Sequence, residues 1–334
     1  LVTGGAGYIG SHTVLQLLLS NYSVIVLDNL ENSSVESLKR VCEIADKKIE
    51  FVEGDVRDKK VLNKLFSEYH VESVIHFAGL KAVGDSVINP IEYYDNNVIG
   101  TVQLIKVMQQ HNVKNIVFSS SATVYGDPLT LPLHEDMPPG FPTNPYGKSK
   151  LIIEGLLGDL YRSDTAWNIV NLRYFNPVGA HDSGKIGEDP RDTPNNLMPV
   201  IAQIAAGKRE RLFIFGGDYQ THDGTGVRDY IHVVDLAEGH LKALEKISRE
   251  PGFYTVNLGT GVGYSVLDMV RAFSSASGVR ISYEIVPRRL GDVATCYADP
   301  KYASECLGWK PRKGLQEMCE DTWRWNKNNP NGYK

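Results

Sequence analysis

The feature that most constrains the fold is a glycine-rich run near the start of the chain, Gly4-Gly5-Ala6-Gly7-Tyr8-Ile9-Gly10. It follows a short apolar run and opens a stretch with helical periodicity, which is the strand-turn-helix setting of a dinucleotide-binding fingerprint. Glycines at such a turn allow backbone N–H groups to approach a pyrophosphate at the positive end of the helix. We therefore expect Gly4, Gly7 and Gly10 to border a cofactor, with a purely structural turn as the alternative.

The first half of the chain alternates short Val- and Ile-rich runs with longer amphipathic stretches. This alternation is typical of βα units and predicts a doubly wound (Rossmann) α/β fold with a parallel sheet. The predicted strands are residues 23–28, 49–54, 73–78, 115–119 and 168–173, and helical patterns between them include residues 11–19, 59–68, 93–110 and 145–160. Asn144 and Pro145 suit the N-cap and first position of the last helix. Residues 1–3 resemble the end of a strand, so a few residues are expected upstream.

From about residue 176 the sequence becomes rich in Gly, Pro, Asp and Asn, with only short periodic pieces. This change of composition predicts a smaller mixed α/β substrate-binding lobe. A regular βα passage resumes at residues 230–258, which suggests a return to the sheet. We therefore predict a nucleotide-binding domain over residues 1–175, joined again by 230–258, and a lobe over 176–229 and 259–334.

Composition argues against several classes of partner. The chain has 40 acidic and 35 basic residues, so no strong positive field would attract nucleic acid. No apolar run approaches the roughly 18 residues that span a bilayer, and no signal peptide opens the chain, so a cytoplasmic protein is expected. The cysteines Cys42, Cys296, Cys306 and Cys319 are scattered without metal-ligand spacing, so neither a metal site nor disulfides are expected.

A carboxylate at the end of the second predicted strand bears on the choice of cofactor. Asp28 lies about 20 residues after the glycines, where it can hold the adenosine ribose hydroxyls and repel a 2′-phosphate. No Arg in residues 29–33 could receive such a phosphate, so NAD is favoured over NADP. Asp55, Val56 and residues 77–81 follow the next strands, at the edge where a cofactor would lie. For Asp55 a simple turn is the alternative.

Tyr146 and Lys150 lie four residues apart near the start of a predicted helix, so their side chains share one face. A neighbouring ammonium favours the phenolate of a tyrosine, which would allow Tyr146 to act as a base near neutral pH. Ser121, at the end of the preceding strand, is the predicted hydroxyl for the reacting oxygen. An isolated Tyr-x-x-x-Lys pair is more often an exposed helix face, but its position after a glycine fingerprint and this serine favours catalysis.

Several longer motifs carry a family resemblance that runs nearly end to end. They are TGGAGYIGSHT at 3–13, VIHFAGLKAVG at 74–84, SSSATVYG at 119–126, NPYGKSK at 144–150, LRYFNPVGAH at 172–181, PNNLMP at 194–199, DGTGVRDYIHVVDLA at 223–237 and RRLGD at 288–292. In these motifs the sequence resembles the extended short-chain dehydrogenase/reductase family and, within it, the UDP-galactose 4-epimerases.

The resemblance implies reversible interconversion of UDP-galactose and UDP-glucose with bound NAD. Tyr146 would remove the 4-hydroxyl proton while NAD takes the C4 hydride, and the 4-keto sugar would rotate before the hydride returns to its other face. The resemblance also implies a homodimer, with helices 93–110 and 145–160 as candidate interface elements.

Binding residues follow from the same resemblance. Those expected to contact NAD, besides the glycines, are Tyr8, Ile9, Asp28, Asn29, Leu30, Glu31, Asn32, Ser33, Asp55, Val56, Phe77, Ala78, Gly79, Leu80, Lys81, Asn96, Ser121, Tyr146, Lys150 and Phe175. Those expected to contact the UDP-sugar are Lys81, Ser121, Tyr146, Asn176, Asn196, Leu197, Phe213, Phe215, Arg228, Arg289, Asp292 and Cys296. The planar guanidinium groups of Arg228 and Arg289 suit a pyrophosphate, although without the surrounding motifs these arginines would be interpreted as solvated surface charges.

At Cys296 the family varies between tyrosine and a small residue. A small residue is expected to enlarge the hexose pocket and admit UDP-N-acetylhexosamines, with simple packing of the cysteine as the alternative.

Two other functions stay open at this point. A 4,6-dehydratase would need an acid/base carboxylate pair beside the serine, whereas the sequence there is Ser121-Ala122-Thr123-Val124. A non-catalytic NAD-binding regulator could lose Tyr146 and Lys150, and both are present.

Overall fold

The computed structural model describes residues 1–128, 130–191, 194, 196–289 and 292–334, and its largest feature is a parallel sheet of seven strands. In chain order the strands are β1 (Val2–Thr3), β2 (Ile25–Asp28), β3 (Glu50–Glu53), β4 (Val74–His76), β5 (Asn115–Ser121), β6 (Asn168–Tyr174), β7 (Asn176–Val178), β8 (Leu212–Phe215), β9 (Val227–His232), β10 (Phe253–Leu258), β11 (Gly263–Ser265), β12 (Tyr283–Val286) and β13 (Thr295–Cys296). The large sheet has the order β10-β6-β5-β4-β1-β2-β3. The chain therefore fills the sheet outward in both directions from β1 and β4, and the predicted doubly wound fold is confirmed.

Helices cover both faces of this sheet. In chain order the helices of the described residues are α1 (Tyr8–Leu19), α2 (Val35–Ala45), α3 (Lys59–Glu68), α4 (Val83–Ile88), α5 (Pro90–Tyr93), α6 (Gly100–Gln110), α7 (Pro145–Ser163), α8 (Leu197–Ala205), α9 (Val233–Arg249), α10 (Val266–Ser277), α11 (Lys301–Leu307) and α12 (Leu315–Asn328). Of these, α8, α10 and α12 pack together away from the large sheet. The neighbours Ile116 and Val117 on β5 point into opposite cores, as alternation along a strand requires. The core with Val117 includes Leu15 of α1 and Leu244 of α9, and the core with Ile116 includes Leu157 of α7.

The predicted start of α7 is confirmed. Asn144 is the N-cap, and its Oδ1 accepts a hydrogen bond from the backbone N–H of Gly147 at 2.9 Å. Pro145 occupies the first helical position, where its missing N–H costs nothing. The start of this helix is therefore fixed by local sequence.

The continuous helix predicted over 93–110 is not what the structure shows. A π-helical turn, Tyr94–Ile99, separates α5 from α6. Asn96 and Asn97, which are adjacent in sequence, are both buried in this turn. Wider turns of this kind are frequent at functional sites, and the apolar periodicity of the sequence does not reveal them.

The later part of the chain forms smaller sheets and its own core. Strand β9 pairs with β7, β11 and β13, and β8 pairs with β12. Met198, Phe273 and Met318 lie in a core between α8, α10 and α12. Whereas β9 lies in a small sheet, β10 completes the large one beside β6. The division into two domains stays a proposal.

None of the helices in the described ranges is both long and apolar enough to cross a bilayer.

Candidate active site

The glycine run forms a tight turn between β1 and α1, at the carboxyl edge where the two halves of the sheet diverge. A Cβ on Gly10 would lie 2.2 Å from the carbonyl oxygen of Gly4, and Gly4 itself has a φ of +70°. Gly7 is the N-cap of α1 and has no side chain to bond the first-turn N–H groups. These groups are therefore suited to hold an anion such as a pyrophosphate.

Asp28 ends β2 and organises the loop that follows it. Its Oδ2 accepts a hydrogen bond from the N–H of Ala6 at 2.9 Å, which ties it to the glycine turn. Its Oδ1 accepts from the N–H of Leu30 at 2.9 Å and from the hydroxyl of Ser33 at 2.7 Å. Oδ2 accepts only one of these bonds and has capacity for a further donor, so a ribose hydroxyl fits this geometry.

The other predicted cofactor contacts lie on the same edge of the sheet. They are Tyr8 and Ile9 in the first turn of α1, Asn29, Glu31 and Asn32 after β2, Val56 after β3, and Phe77, Ala78, Gly79 and Lys81 after β4.

Asp55 follows β3 and acts as a turn residue there, which was the alternative to its predicted contact with the cofactor. Its carboxylate accepts from the backbone and guanidinium of Arg57 and, at 3.1 Å, from the amide of Asn29. The bonds from Arg57 lower the pKa of Asp55 to about 2, against a smaller opposing effect of burial. A cofactor contact of Asp55 stays a prediction.

The loop after β4 is held by Asn97, which the sequence reasoning missed. Its Oδ1 accepts from the N–H of Leu80 at 2.7 Å, and its Nδ2 donates to the carbonyl of Leu80 and to the hydroxyl of Ser149, both at 3.0 Å. Asn96, the predicted NAD contact, is buried next to it. Since both residues come from the π-helical turn, that turn joins this loop to α7.

The three predicted catalytic residues come together at α7 and the end of β5. Tyr146 and Lys150 are only 7% and 5% exposed. The hydroxyl of Ser121 lies near the phenol of Tyr146 and acts on its pKa, and its Oγ accepts a hydrogen bond from the hydroxyl of Thr123 at 3.0 Å. The ammonium of Lys150 donates to the carbonyl of Ser119 at 2.8 Å and lies 5.8 Å from the centre of the Tyr146 ring.

Burial dominates the ionisation of this pair. It raises the pKa of Tyr146, and the neighbouring Ser121 hydroxyl offsets this rise only in part. Burial also lowers the pKa of Lys150 to about 8, while the carboxylate of Glu154 acts in the opposite direction. The lowering of the Tyr146 pKa that we expected from Lys150 is not what the structure shows, because desolvation dominates and the opposing effect comes from Ser121.

Tyr174 is a further residue of this site that sequence reasoning missed. It ends β6 opposite Ser121, and its hydroxyl lies 2.7 Å from the hydroxyl of Ser119. Burial, with a smaller contribution from Tyr146, raises its pKa. The next residue, Phe175, packs in a buried cluster with Ala122.

Some predicted substrate contacts form an exposed group on the lobe. Phe213 and Phe215 on β8 are 51% and 45% exposed. The guanidinium of Arg289 lies 5.4 Å from the centre of the Phe215 ring and pairs with Asp292 at 3.0 Å. These residues present an aromatic and charged surface. Asn195 of the motif PNNLMP, and Leu290 and Gly291 of the motif RRLGD, lie outside the described residues.

Arg228 and Cys296 lie opposite each other on β9 and β13. Cys296 packs against the cluster that contains Ala122 and Phe175, which places it beside the catalytic serine segment. Burial raises the pKa of the Cys296 thiol to about 11, so it is a small and unreactive group.

A carboxylate connects the loop after β4 to the lobe. Glu188 pairs with the ammonium of Lys81 at 3.2 Å and accepts from the amide of Asn196 at 3.4 Å. Asn196 and Leu197 begin α8, and Asn176 is exposed at the start of β7. Lys81 and Asn196, predicted to contact the same substrate, therefore share one partner.

A group that could in principle bind a metal is explained by its own bonds. His222, Asp223 and Asp268 lie within ligand distance of one another. Both carboxylates pair with Arg271, and Asp268 also completes the capping box of α10. Nothing further among the described residues points to an ion there.

Comparison with known proteins gives the family. A family model described as GDP-mannose 4,6 dehydratase matches residues 1–322. The UDP-glucose 4-epimerase of Mus musculus is 60% identical, covering 100% of this chain and 98% of its own, and that of Bacillus subtilis (strain 168) is 59% identical with the same coverage. The chain belongs to the UDP-glucose 4-epimerase family. The predicted resemblance to these epimerases is confirmed.

The structure agrees with this family. The UDP-glucose 4-epimerase of Bifidobacterium longum, solved in complex with NAD+ and UDP, superposes with a TM-score of 0.97 and is 53% identical, covering 99% of this chain and 98% of that one. A dehydratase is not favoured despite the name of the family model, because the full-length relatives are epimerases and the Ser121 segment lacks the carboxylate pair for elimination.

Proposed function

We infer that this chain catalyses the reversible interconversion of UDP-galactose and UDP-glucose with NAD as its cofactor. The observation that carries this function is the buried group of Ser121, Tyr146 and Lys150 beside the glycine turn, in a chain 60% identical over its full length to a UDP-glucose 4-epimerase. Tight glycines, an uncapped helix start and the Asp28 carboxylate at the end of β2 together fit an adenine dinucleotide.

Tyr146 is proposed as the catalytic acid and base. Tyr146 removes the proton of the sugar 4-hydroxyl, while Ser121 hydrogen-bonds the reacting oxygen. When the sugar is reduced again, Tyr146 returns the proton to that oxygen. NAD held by the glycine turn and Asp28 would supply the acceptor and donor for the C4 hydride, and its positive ring would favour the phenolate that desolvation opposes. Lys150 adds its own positive charge 5.8 Å from the ring of Tyr146.

Inversion at C4 requires the keto sugar to turn before it is reduced. We propose that Arg228, Arg289 and the Phe213–Phe215 surface hold the UDP group, while the hexose lies near Cys296 with room to rotate. The exposed aromatic rings suit a flat base, and guanidinium groups suit a pyrophosphate. The remaining predicted contacts, Asn176, Asn196, Leu197, Lys81 and Asp292, keep the roles that the sequence predicts for them.

The test is to incubate purified protein with UDP-galactose, without added NAD, and to assay UDP-glucose. Formation of UDP-glucose without accumulation of free NADH is expected. A dehydrated keto sugar would indicate the dehydratase instead, and a net redox product would overturn the proposed epimerisation. Binding of NAD without turnover would indicate a non-catalytic NAD-binding regulator.

A second substrate class is proposed because Cys296 is small. We propose that UDP-N-acetylglucosamine is also a substrate, and that Cys296→Tyr, which fills the space beside Ala122, abolishes its turnover while that of UDP-galactose persists. Cys42→Ser, at a half-buried cysteine of α2, is the matched control. Wild-type protein that never converts the N-acetyl substrate would refute this proposal.

We propose that the chain forms a homodimer, and that the surface formed by α4, α5 and the neighbouring faces of α6 and α7 is its interface. Val87, Ile88, Ile91 and Ile152 are exposed there, with Ile88 and Ile91 at 78% and 77%. Apolar groups so exposed are typical of an interface. Light scattering should give twice the chain mass, and Ile91→Lys should shift it toward the monomer. A cytoplasmic location stays a prediction of the sequence.

A further inference from the structure

Helix α7 carries a third buried side chain in line with Tyr146 and Lys150. Glu154 follows Lys150 by four residues and is 7% exposed. Its Oε1 accepts a hydrogen bond from the hydroxyl of Ser120 at 2.5 Å. Arg173 on β6 donates to both carboxylate oxygens, with Nε at 3.0 and 3.2 Å and Nη2 at 2.7 Å. The result is a bidentate buried ion pair directly behind the catalytic lysine.

The ion pair is also held from the side of Arg173. The guanidinium lies 4.8 Å from the centre of the Tyr125 ring, and the Tyr125 hydroxyl donates to the side chain of Asn257 at 2.7 Å. Burying two charges gives little net stability, because desolvation offsets their attraction. Stability alone therefore does not explain why a carboxylate stands one helical turn from Lys150.

Three successive residues of β5 make different contacts around α7. The carbonyl of Ser119 accepts from Lys150, the hydroxyl of Ser120 donates to Glu154, and the hydroxyl of Ser121 meets Tyr146. We propose that Glu154, fixed by Arg173 and Ser120, is a positioning residue that keeps the ammonium of Lys150 charged and directed at the serine strand. The proposal rests on the catalytic role proposed for Lys150.

The charged and titratable groups around Lys150 support Glu154 as the controlling anion. Tyr146 lies near Lys150 on α7, and the charge of Lys150 interacts with Glu154 on α7 and with His76 on β4. The elements packed against α7 carry Arg173 and Tyr174 on β6, Tyr125 in the turn after β5, and the acids Asp85, Glu92 and Asp95. His76 is buried and its pKa is lowered to about 3, so it stays neutral. Asp95 pairs with Arg57, and Glu92 is exposed.

The test is the alkaline limb of the pH profile of kcat/KM for UDP-galactose, measured from pH 6 to 10. Glu154→Gln removes the anion and leaves Arg173 unpaired, so Lys150 loses its proton more easily and the limb should move about one pH unit lower. Arg173→Gln removes the cation, so the limb should move in the opposite direction. The double variant E154Q/R173Q should return it close to the wild-type position.

Shifts of opposite sign separate this role from a structural one, because loss of packing would not move the limb in two directions. Ser120→Ala is the matched control: it breaks a hydrogen bond to Glu154 but keeps the charge, so the limb should stay in place. If the single variant Glu154→Gln does not fold, the alkaline limb of Arg173→Gln must still lie at a higher pH than that of the double variant. Limbs that coincide would overturn the proposal. Wild-type protein without epimerase activity would instead refute the proposed function.

Discussion

The catalytic face and the substrate-binding surface are built in opposite ways. Tyr146, Lys150 and Glu154 are each at most 7% exposed. Lys150 and Glu154 are hydrogen-bonded to Ser119 and Ser120 of β5, and Tyr146 lies near Ser121. Phe213 and Phe215 on the lobe are about half exposed. The catalytic groups are thus fixed by the protein itself, whereas the aromatic surface remains open for a substrate to cover.

This difference suits a reaction in which the sugar must turn. Proton transfer needs atoms held within hydrogen-bond reach, so the acid and base are fixed by burial. The UDP group only has to be retained, and residues of the lobe can do this through contacts far from C4. We therefore expect substitutions at the catalytic face to change kcat, and substitutions on the lobe to change KM.

The largest effect is expected for Tyr146→Phe. It removes the acid and base but keeps the ring, so kcat should fall about 10²- to 10⁴-fold while UDP binding persists. Conversion of UDP-galactose and binding of UDP by calorimetry measure the two effects. Tyr161→Phe, on the same helix, should keep wild-type kcat. A Tyr146→Phe enzyme with more than a tenth of the wild-type kcat would show that another group moves the proton.

A smaller effect, of a different kind, is expected for Arg228→Met. Loss of one charged hydrogen bond should raise KM for UDP-galactose about 10- to 100-fold, with a much smaller change in kcat. Arg312→Met is the control, because Arg312 is exposed and pairs with Glu238 elsewhere on the surface. If kcat fell as much as KM rose, the contrast between the two regions would be wrong.

Features encoded within a few residues could be predicted from the sequence. The spacing of Tyr146 and Lys150, the Asn144 cap and the glycine turn all act locally, and the structure places them as expected. Helix α2 also begins at a local signal, because the side chain of Ser34 caps its first turn.

Features that depend on distant contacts could not be predicted. Arg173 meets Glu154 because β6 and α7 pack together, and no local pattern marks either residue as buried. The role of Asn97 depends on a π-helical turn, and the pairing of β8 with β12 joins strands about 70 residues apart in the chain. In all three cases tertiary packing, and not the local sequence, decides which groups meet.

The catalytic face should also carry a cost in stability that varies with pH. Burial lowers the pKa of Lys150 from 10.5 to about 8, so between these values the unfolded chain binds more protons than the folded one. The free energy of unfolding of the wild type should therefore rise with pH over this window. Lys150→Met should be more stable at pH 7 by about 1–2 kcal/mol, and this advantage should shrink by pH 10.

Urea unfolding at both pH values measures this difference. Lys148→Met, an exposed site on the same helix, should leave stability unchanged at either pH. An advantage of Lys150→Met that stays constant from pH 7 to 10 would mean that packing, and not the buried charge, sets the difference.

The smallest effect compares two asparagines that begin helices, one in each region. Asn144 bonds the N–H of Gly147, whereas Asn196 makes no capping bond to α8 and instead lies 3.4 Å from Glu188. Asn144→Ala should cost about 1 kcal/mol of stability, and Asn144→Asp should restore it. Asn196→Ala should leave the melting temperature nearly unchanged and raise KM instead. Equal losses of stability at the two positions would show that Asn196 serves the fold, and its predicted place among the substrate contacts would have to be given up.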